Sequence, residues 1–241
     1  PLELQARLLD LAACDLAIQR AAASLRSLPE TLHIPTLEAA VEEIKSRRHD
    51  AMIEKENIQA ELTRAESDVT LVEARIHKDD ERLTHTSSAK DAQGLEHELE
   101  SLRKRRSDLE DIELAIMERL EQADSVLTGL IAELATADEA LTDARAEHTA
   151  QSAALEAETA TQRATRESIV AILPDDLYAL YERQRERYGV GASHLRGGVS
   201  SASGVALTES DLQDIRRSAP EEVVMCPDSN AILVRTAESG L

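Results

Sequence analysis

Aromatic side chains are nearly absent from this 241-residue chain: there is no Trp, no Phe, and only Tyr178, Tyr181 and Tyr188. Rings supply much of the buried area of a thick globular core, so their scarcity argues against one. Cysteine is almost missing too. Cys14 and Cys226 are the only two, which excludes a disulfide framework. Cys14 lies beside a helical apolar stripe and reads as a small packing residue. No apolar run approaches the roughly 18 residues of a membrane helix, and no basic-then-apolar segment marks a leader. The expectation is a soluble, cytoplasmic protein. Positive charge is scarce as well. A formal net charge of −20 repels a duplex phosphate backbone unless a local basic patch overrides that field.

What is abundant is Ala, Leu, Glu and Arg. A chain that is 42% apolar and 31% charged, with so few rings, describes long helices packed along a thin seam. From Leu37 the apolar positions step alternately by four and three through Val41, Ile44, Ala51, Ile58, Leu62, Ala65, Val69, Val72, Ile76 and Leu83. Only Arg48, Lys55 and Asp79 interrupt that series. A second series runs from Leu95 through Leu99, Leu102, Leu109, Ile116, Leu120, Leu127, Leu130, Leu134 and Leu141, with Arg106 and Glu113 at core positions. Sustained heptads predict a coiled coil, and polar residues in its seam fix register at some cost in stability. Between the series, residues 84–94 hold poor helix formers and capping hydroxyls. A short polar link makes the two helices antiparallel neighbours. Folding near residue 88 sets Leu37 opposite about residue 140 and Lys55 near residue 123. It also lays the first helix along residues 150–172, with Ala21, Ala22 and Ala23 facing Ala153, Ala154, Ala157 and Ala160. Pro29 and Pro35 bracket a break near 29–35.

Pro174 changes the texture. Residues 1–173 form the hairpin in this reading, and 174–241 form a short helix plus a small domain. Asp175–Arg187 reads as the helix, ended by Gly189 and Gly191. Two strand-like segments follow, 193–207 and 222–235. Thr208 and Asp211 have capping-box spacing for a helix between them. The fold class is therefore mainly α: a long antiparallel coiled-coil hairpin with a small β-rich C-terminal domain.

Four stretches carry a resemblance: Lys90–Glu110, Leu173–Glu182, the turn at Gly197 and Gly198, and Val223–Arg235. Together they resemble the bacterial coiled-coil proteins with a C-terminal C4-type zinc ribbon, often described as nucleic-acid-binding. The resemblance spans essentially the whole chain. In that family each ribbon turn carries CxxC. The matching positions here are Ser200 and Ser203 in one turn, Cys226 and Ser229 in the other. Structural zinc takes four thiolate or imidazole ligands, and a neutral hydroxyl is a poor substitute. Adding His194 to Cys226 gives only two. The expectation is a degenerate, zinc-ribbon-like domain without metal or other cofactor.

The last third is rich in arginine and empty of lysine. All five lysines precede Pro174, whereas Arg183, Arg185, Arg187, Arg196, Arg216, Arg217 and Arg235 follow it. Guanidinium forks suit bidentate phosphate contacts, and a tyrosine can stack on a base. Arg183, Arg187, Tyr188, Arg196 and Arg235 are the candidate phosphate or nucleotide site. The alternative is solvated helices on which these arginines pair with Glu182, Glu186, Asp211 and Asp214. No nucleophile–base pair is apparent in the sequence. Gly197–Gly198 lacks the lysine of a phosphate loop. A non-enzymatic binding or adaptor protein is expected. Its partners would be a protein docking on the coiled coil or the head, and either nucleic acid, as the resemblance implies, or a small phosphorylated nucleotide such as a cyclic dinucleotide. A purely structural coiled coil is the third reading. No membrane partner is expected, and an oligomer is left open.

Overall fold

In the computed structural model, which describes residues 2–241, three helices account for most of the chain: α1 (Leu2–Thr31), α2 (Ile34–His85) and α3 (Ala89–Val170). Two short helices follow, α4 (Asp175–Tyr188) and α5 (Glu209–Arg217). Four strands complete the fold: β1 (Ala192–Arg196), β2 (Val199–Ser200), β3 (Val224–Met225) and β4 (Ile232–Val234). The chain divides into two compact units: His33–Arg145, and Pro1–Leu32 with Ala146–Leu241. Pro174 marks where long helices give way to short elements, but the compact units fall elsewhere: α1 packs with the last third.

The His33–Arg145 unit is an antiparallel coiled-coil hairpin. Its buried residues are those of the two heptad series, including Val41, Ile44, Ile58 and Leu62 on α2 and Leu99, Leu109, Leu130 and Leu134 on α3. Register follows from the contacts. Val41 and Ile44 cluster with Leu134 and Leu141, and Ile58, Leu62 and Ala65 with Ile116. Ion pairs stitch the rims: Glu38 to Arg145 at 2.6 Å, Arg47 to Glu133 at 3.1 Å, Glu61 to Arg119 at 2.8 Å, and Lys55 to Asp124.

Of the polar seam residues, Arg48 is exposed and Lys55 is half-buried, but Asp79 is fully buried. Arg75 Nε donates to it at 2.8 Å and Arg82 Nη1 at 2.9 Å. Burial pushes this carboxyl up, but the two guanidinium hydrogen bonds outweigh it and hold Asp79 below its ordinary range. The tip is tighter than the composition suggests. Only residues 86–88 leave the helices. Ser88 Oγ accepts the Asp91 N–H at 3.4 Å, and the packing of Leu95 and Leu99 carries the helix through Gly94. A mid-helix glycine costs only about 1 kcal/mol, less than that packing supplies.

In the other unit, α1, the end of α3, and α4 surround one face of the sheet. Leu8, Leu11 and Cys14 pack with Ile169, Leu173, Tyr181, Ile232 and Val234. The expected alanine-on-alanine contact is not what forms. Ala153, Ala154, Ala157 and Ala160 are exposed, and Ser152, Leu155, Thr159, Gln162 and Arg166 occupy the half-buried stripe of α3. The stripe changes phase on the way: from Ala144 it steps by four twice, to His148 and Ser152, before the four-three alternation resumes, and alanine content alone does not report that phase.

The sheet order is β2-β1-β4-β3. The pairs β1/β2 and β3/β4 are antiparallel, while β1 and β4 run parallel, with Ser193 opposite Leu233. All three residues of β4 are inaccessible, as suits a central strand whose two faces meet separate apolar clusters. The capping box ahead of α5 is formed: Thr208 Oγ1 accepts the Asp211 N–H, and Asp211 accepts the Thr208 N–H.

Candidate functional site

The two turns that resemble ribbon knuckles share one backbone pattern. In the first, Ser200 N–H donates to Val205 O and Gly204 N–H to Ser200 O. In the second, Cys226 N–H donates to Ala231 O and Asn230 N–H to Cys226 O. Gly204 and Asn230, at the matching place, both have left-handed φ, 69° and 54°. These are the residue types that adopt it most readily.

The turns bring their side chains together. Cys226 Sγ and Ser200 Oγ are 3.4 Å apart, and both are wholly buried. Ser200 Oγ lies 2.8 Å from Ser193 Oγ. Burial pushes the Cys226 thiol up. Hydrogen bonding with the Ser200 and Ser229 side chains and with the backbone at Ser229 and Asp228 outweighs that and brings it below its ordinary value. Ser203 Oγ turns to the Val205 N–H, and His194 Nε2 to Thr236 Oγ1 at 2.8 Å. One thiol among hydroxyls does not fit a tetrahedral zinc site. Among the described residues no group of three or more His, Cys, Asp or Glu is placed to hold a metal ion.

The arginines after Pro174 sort into occupied and free. Arg235 is buried. Its guanidinium donates to the carbonyls of Ile215, Ser218, Ala219, Pro220 and Glu222, tying the loop after α5 to the sheet. It is therefore removed from the candidate phosphate site, because five carbonyls already take its donors. Arg196 is exposed and pairs with Glu238. Arg216 pairs with Glu209 and Arg217 with Asp214. Arg183 and Arg187 are exposed on α4, four residues apart and so on one face. Arg187 stacks over the Tyr188 ring at 5.3 Å, and Arg183 has no ion-pair or hydrogen-bond partner among the described residues. The structure thus joins Arg183, Arg187 and Tyr188 on one helix and leaves Arg196 and Arg235 with other work.

Arg185, on the opposite face of α4, turns inward. It donates to Glu182 at 2.6 Å, with its Nε 3.6 Å from Asp15. Asp15 also accepts from Arg166 Nε at 2.8 Å and from the Tyr181 hydroxyl at 2.7 Å. Arg166 continues to Glu182. Burial, then Asp15 itself, pushes the Tyr181 phenol far above its ordinary value, so the ring stays a neutral donor. This network was not legible in the sequence, because Asp15 lies more than 150 residues from Arg166 and Tyr181 and the members follow no motif. A cleft of ≈ 320 Å³ opens beside it, lined in part by Leu9, Leu16, Val190 and Ser201. The charged groups at the cleft already satisfy one another.

A coiled-coil hairpin unit, with a second unit of helix and four-stranded sheet bearing paired turns, defines the class of protein. Residues 11–189 match the model of the CT398-like coiled coil hairpin domain, and the chain belongs to that family. An uncharacterised protein of Mycobacterium tuberculosis is 32% identical over 239 residues, covering 96% of this chain and 95% of that one. A solved structure from Mycobacterium smegmatis superposes with a TM-score of 0.84 at 28% identity, over 98% of this chain and 99% of the other. The structure of CT398 from Chlamydia trachomatis superposes with a TM-score of 0.66 at 16% identity, over 96% and 97%, and shares the fold.

Proposed function

We propose that the protein is a non-enzymatic binding or adaptor protein whose head grips a phosphate-bearing partner through Arg183, Arg187 and Tyr188. One observation carries this reading. Every other arginine after Pro174 is matched to a carboxylate or to carbonyls, whereas Arg183 and Arg187 stand exposed on one face of α4 without an acidic partner among the described residues. In a chain of net charge −20, two guanidiniums left unmatched by acid favour an outside anion. Tyr188, already stacked by Arg187, offers its exposed ring to a base.

The footprint is one or two phosphates. That suits the end of a single strand, in keeping with the resemblance to nucleic-acid-binding ribbon proteins. It equally suits a small nucleotide such as a cyclic dinucleotide, which the acidity favours because a short ligand meets little of the surrounding field. The hairpin serves as spacer and docking surface.

Fluorescence polarisation at low salt with a labelled ten-nucleotide single-stranded RNA and with a labelled cyclic dinucleotide tests this. Arg187→Glu should weaken binding at least tenfold, as loss of a charged hydrogen bond worth about 1.5 kcal/mol or more implies. Arg217→Glu, an exposed change away from α4, should stay within about threefold, as expected of a rim charge. Two contacted phosphates on the RNA would give a log–log salt slope of about −1.4. Equal affinities for the parent and Arg187→Glu, or no binding by either probe, overturns the proposal.

A further inference from the structure

Along one stretch of its seam the hairpin unit carries an open apolar groove. There, Leu114 and Met117 of α3 and Gln59 of α2 flank a groove of ≈ 650 Å³ over the seam residues Leu62 and Leu120. A second groove of ≈ 350 Å³, which shares Lys55 and Gln59 with the first, continues it to Met52 and Leu127. The flanking side chains are apolar yet open: Leu114 is 59% exposed, Met117 48% and Met52 43%. Two of the three methionines of the chain stand here. Flexible, polarisable methionine side chains adapt to the shape of an incoming apolar face. The rim carries Glu56, Glu118, Glu121 and Asp124. Among the described residues the only cation lining either groove is Lys55, and Asp124 already holds it.

We propose that this groove receives a single helix of a partner protein, apolar on the entering face and lined with Lys or Arg on its flanks. From Leu114 to Leu127 the groove runs along α3 for about 20 Å at 1.5 Å per residue, room for roughly four turns. A third helix laid over a two-helix seam buries its apolar stripe as in a three-stranded coil, with flank charges choosing the partner. The carboxylate rim makes that choice. A second copy of this chain would set the same four carboxylates against their own kind, a like-charge juxtaposition that disfavours self-association.

The methionines supply their own readout. With methyl-¹³C methionine in the full chain, Met52 and Met117 report on the groove, and Met225, half-buried on β3, serves as internal control. The probe is a synthetic amphipathic peptide of about sixteen residues with a leucine face and lysine flanks, set against its twin with glutamate flanks. The lysine peptide should shift the Met52 and Met117 methyls and leave Met225 unmoved, and the glutamate twin should move none. Leu114→Gln, an exposed substitution, should weaken the lysine peptide about tenfold while helicity by circular dichroism stays unchanged.

A lysine peptide that shifts no methyl, or all three alike, overturns the proposal, the latter being general charge attraction. Equal binding of both peptides does so as well. Concentration-dependent shifts of Met52 and Met117 without peptide, with a dimer mass in sedimentation, would give the groove to a second copy and also overturn it.

Discussion

The two units differ in what they enclose. In the hairpin unit, ion pairs line the rims, with Arg119 and Glu61 at 49% and 45% side-chain exposure, while the seam between them is aliphatic. The other unit has exposed pairs too, such as Arg196 with Glu238, but it also holds a charged cluster inside, with Asp15, Arg166 and Glu182 at 10%, 19% and 19% side-chain exposure. The difference follows from shape. Two helices meeting along one line bury only a thin stripe, which heptad leucines fill, and the charges fall outside it. Where α1, α3 and α4 meet, three helices enclose a volume. Polar groups caught there must satisfy one another, because an unpaired buried charge costs several kcal/mol. Rim pairs therefore tune register, whereas the interior network holds three helices in one arrangement.

The sharpest way to break this contrast is to remove the centre of the network. Arg166→Met removes one of the two guanidiniums that Asp15 and Glu182 share, leaving only Arg185 between them, and should cost about 3 kcal/mol, the lower end for breaking a buried pair. All three tyrosines lie in this unit and the chain has no tryptophan, so tyrosine fluorescence during urea unfolding reads it selectively. A loss below about 1 kcal/mol would mean that the interior charges behave like those on the rim.

Packing in the same unit predicts the next effect. A Cβ added at Gly191 would lie 2.4 Å from Tyr181 Cε2. That ring is fully buried and tied to Asp15 by its hydroxyl, so it has nowhere to retreat. Gly191→Ala should cost about 2 kcal/mol by overpacking, with the same fluorescence transition moving to lower urea. An unshifted midpoint would show that the ring can give way and that the network is looser than its hydrogen bonds suggest.

Asp79 is the exception that sharpens the comparison, an interior-style charge within the hairpin. Its carboxyl is held below its ordinary range, so its contribution is present above the unfolded value of about 3.9 and is lost as pH falls through the lower folded value. The stability gap between the parent and Asp79→Asn, followed by circular dichroism, should stay constant from pH 7 to about 5 and close below about pH 4. A gap that persists at pH 2 would assign the effect to packing instead of charge.

How much of this was legible in the sequence follows the same division. The seam could be read residue by residue because period and burial coincide along a two-helix contact. Val41, Ile44, Leu134 and Leu141 were assigned by spacing alone and pack together. Even Asp79 stood out as an interruption, although nothing local named Arg75 and Arg82 as its donors. In the other unit, local signals succeeded where the structure is local, as in the Thr208–Asp211 box. They failed where distant residues meet. The parallel pairing of β1 with β4, the role of Arg235 as a clasp for five carbonyls, and the whole Asp15 network depend on tertiary placement that no periodicity encodes. Of the candidate phosphate residues, Arg183 and Arg187 could be grouped by helix spacing. Arg196 and Arg235 could not be sorted without knowing their neighbours.

The smallest effect belongs to the rim. Glu61 and Arg119 reach across from α2 to α3 at 2.8 Å, each nearly half exposed. At that exposure water competes for both ends and two long side chains lose rotamer freedom, so the pair should be worth only a few tenths of a kcal/mol. A double-mutant cycle with Glu61→Ala and Arg119→Ala isolates the term, because both changes leave the seam leucines in place. The coupling should fall further at 1 M salt, where the screening length is only about 3 Å. A coupling above about 1.5 kcal/mol that survives salt would show that the hairpin draws its stability from its rims as well as its seam. The two units would then differ in where their charges sit and not in what those charges do.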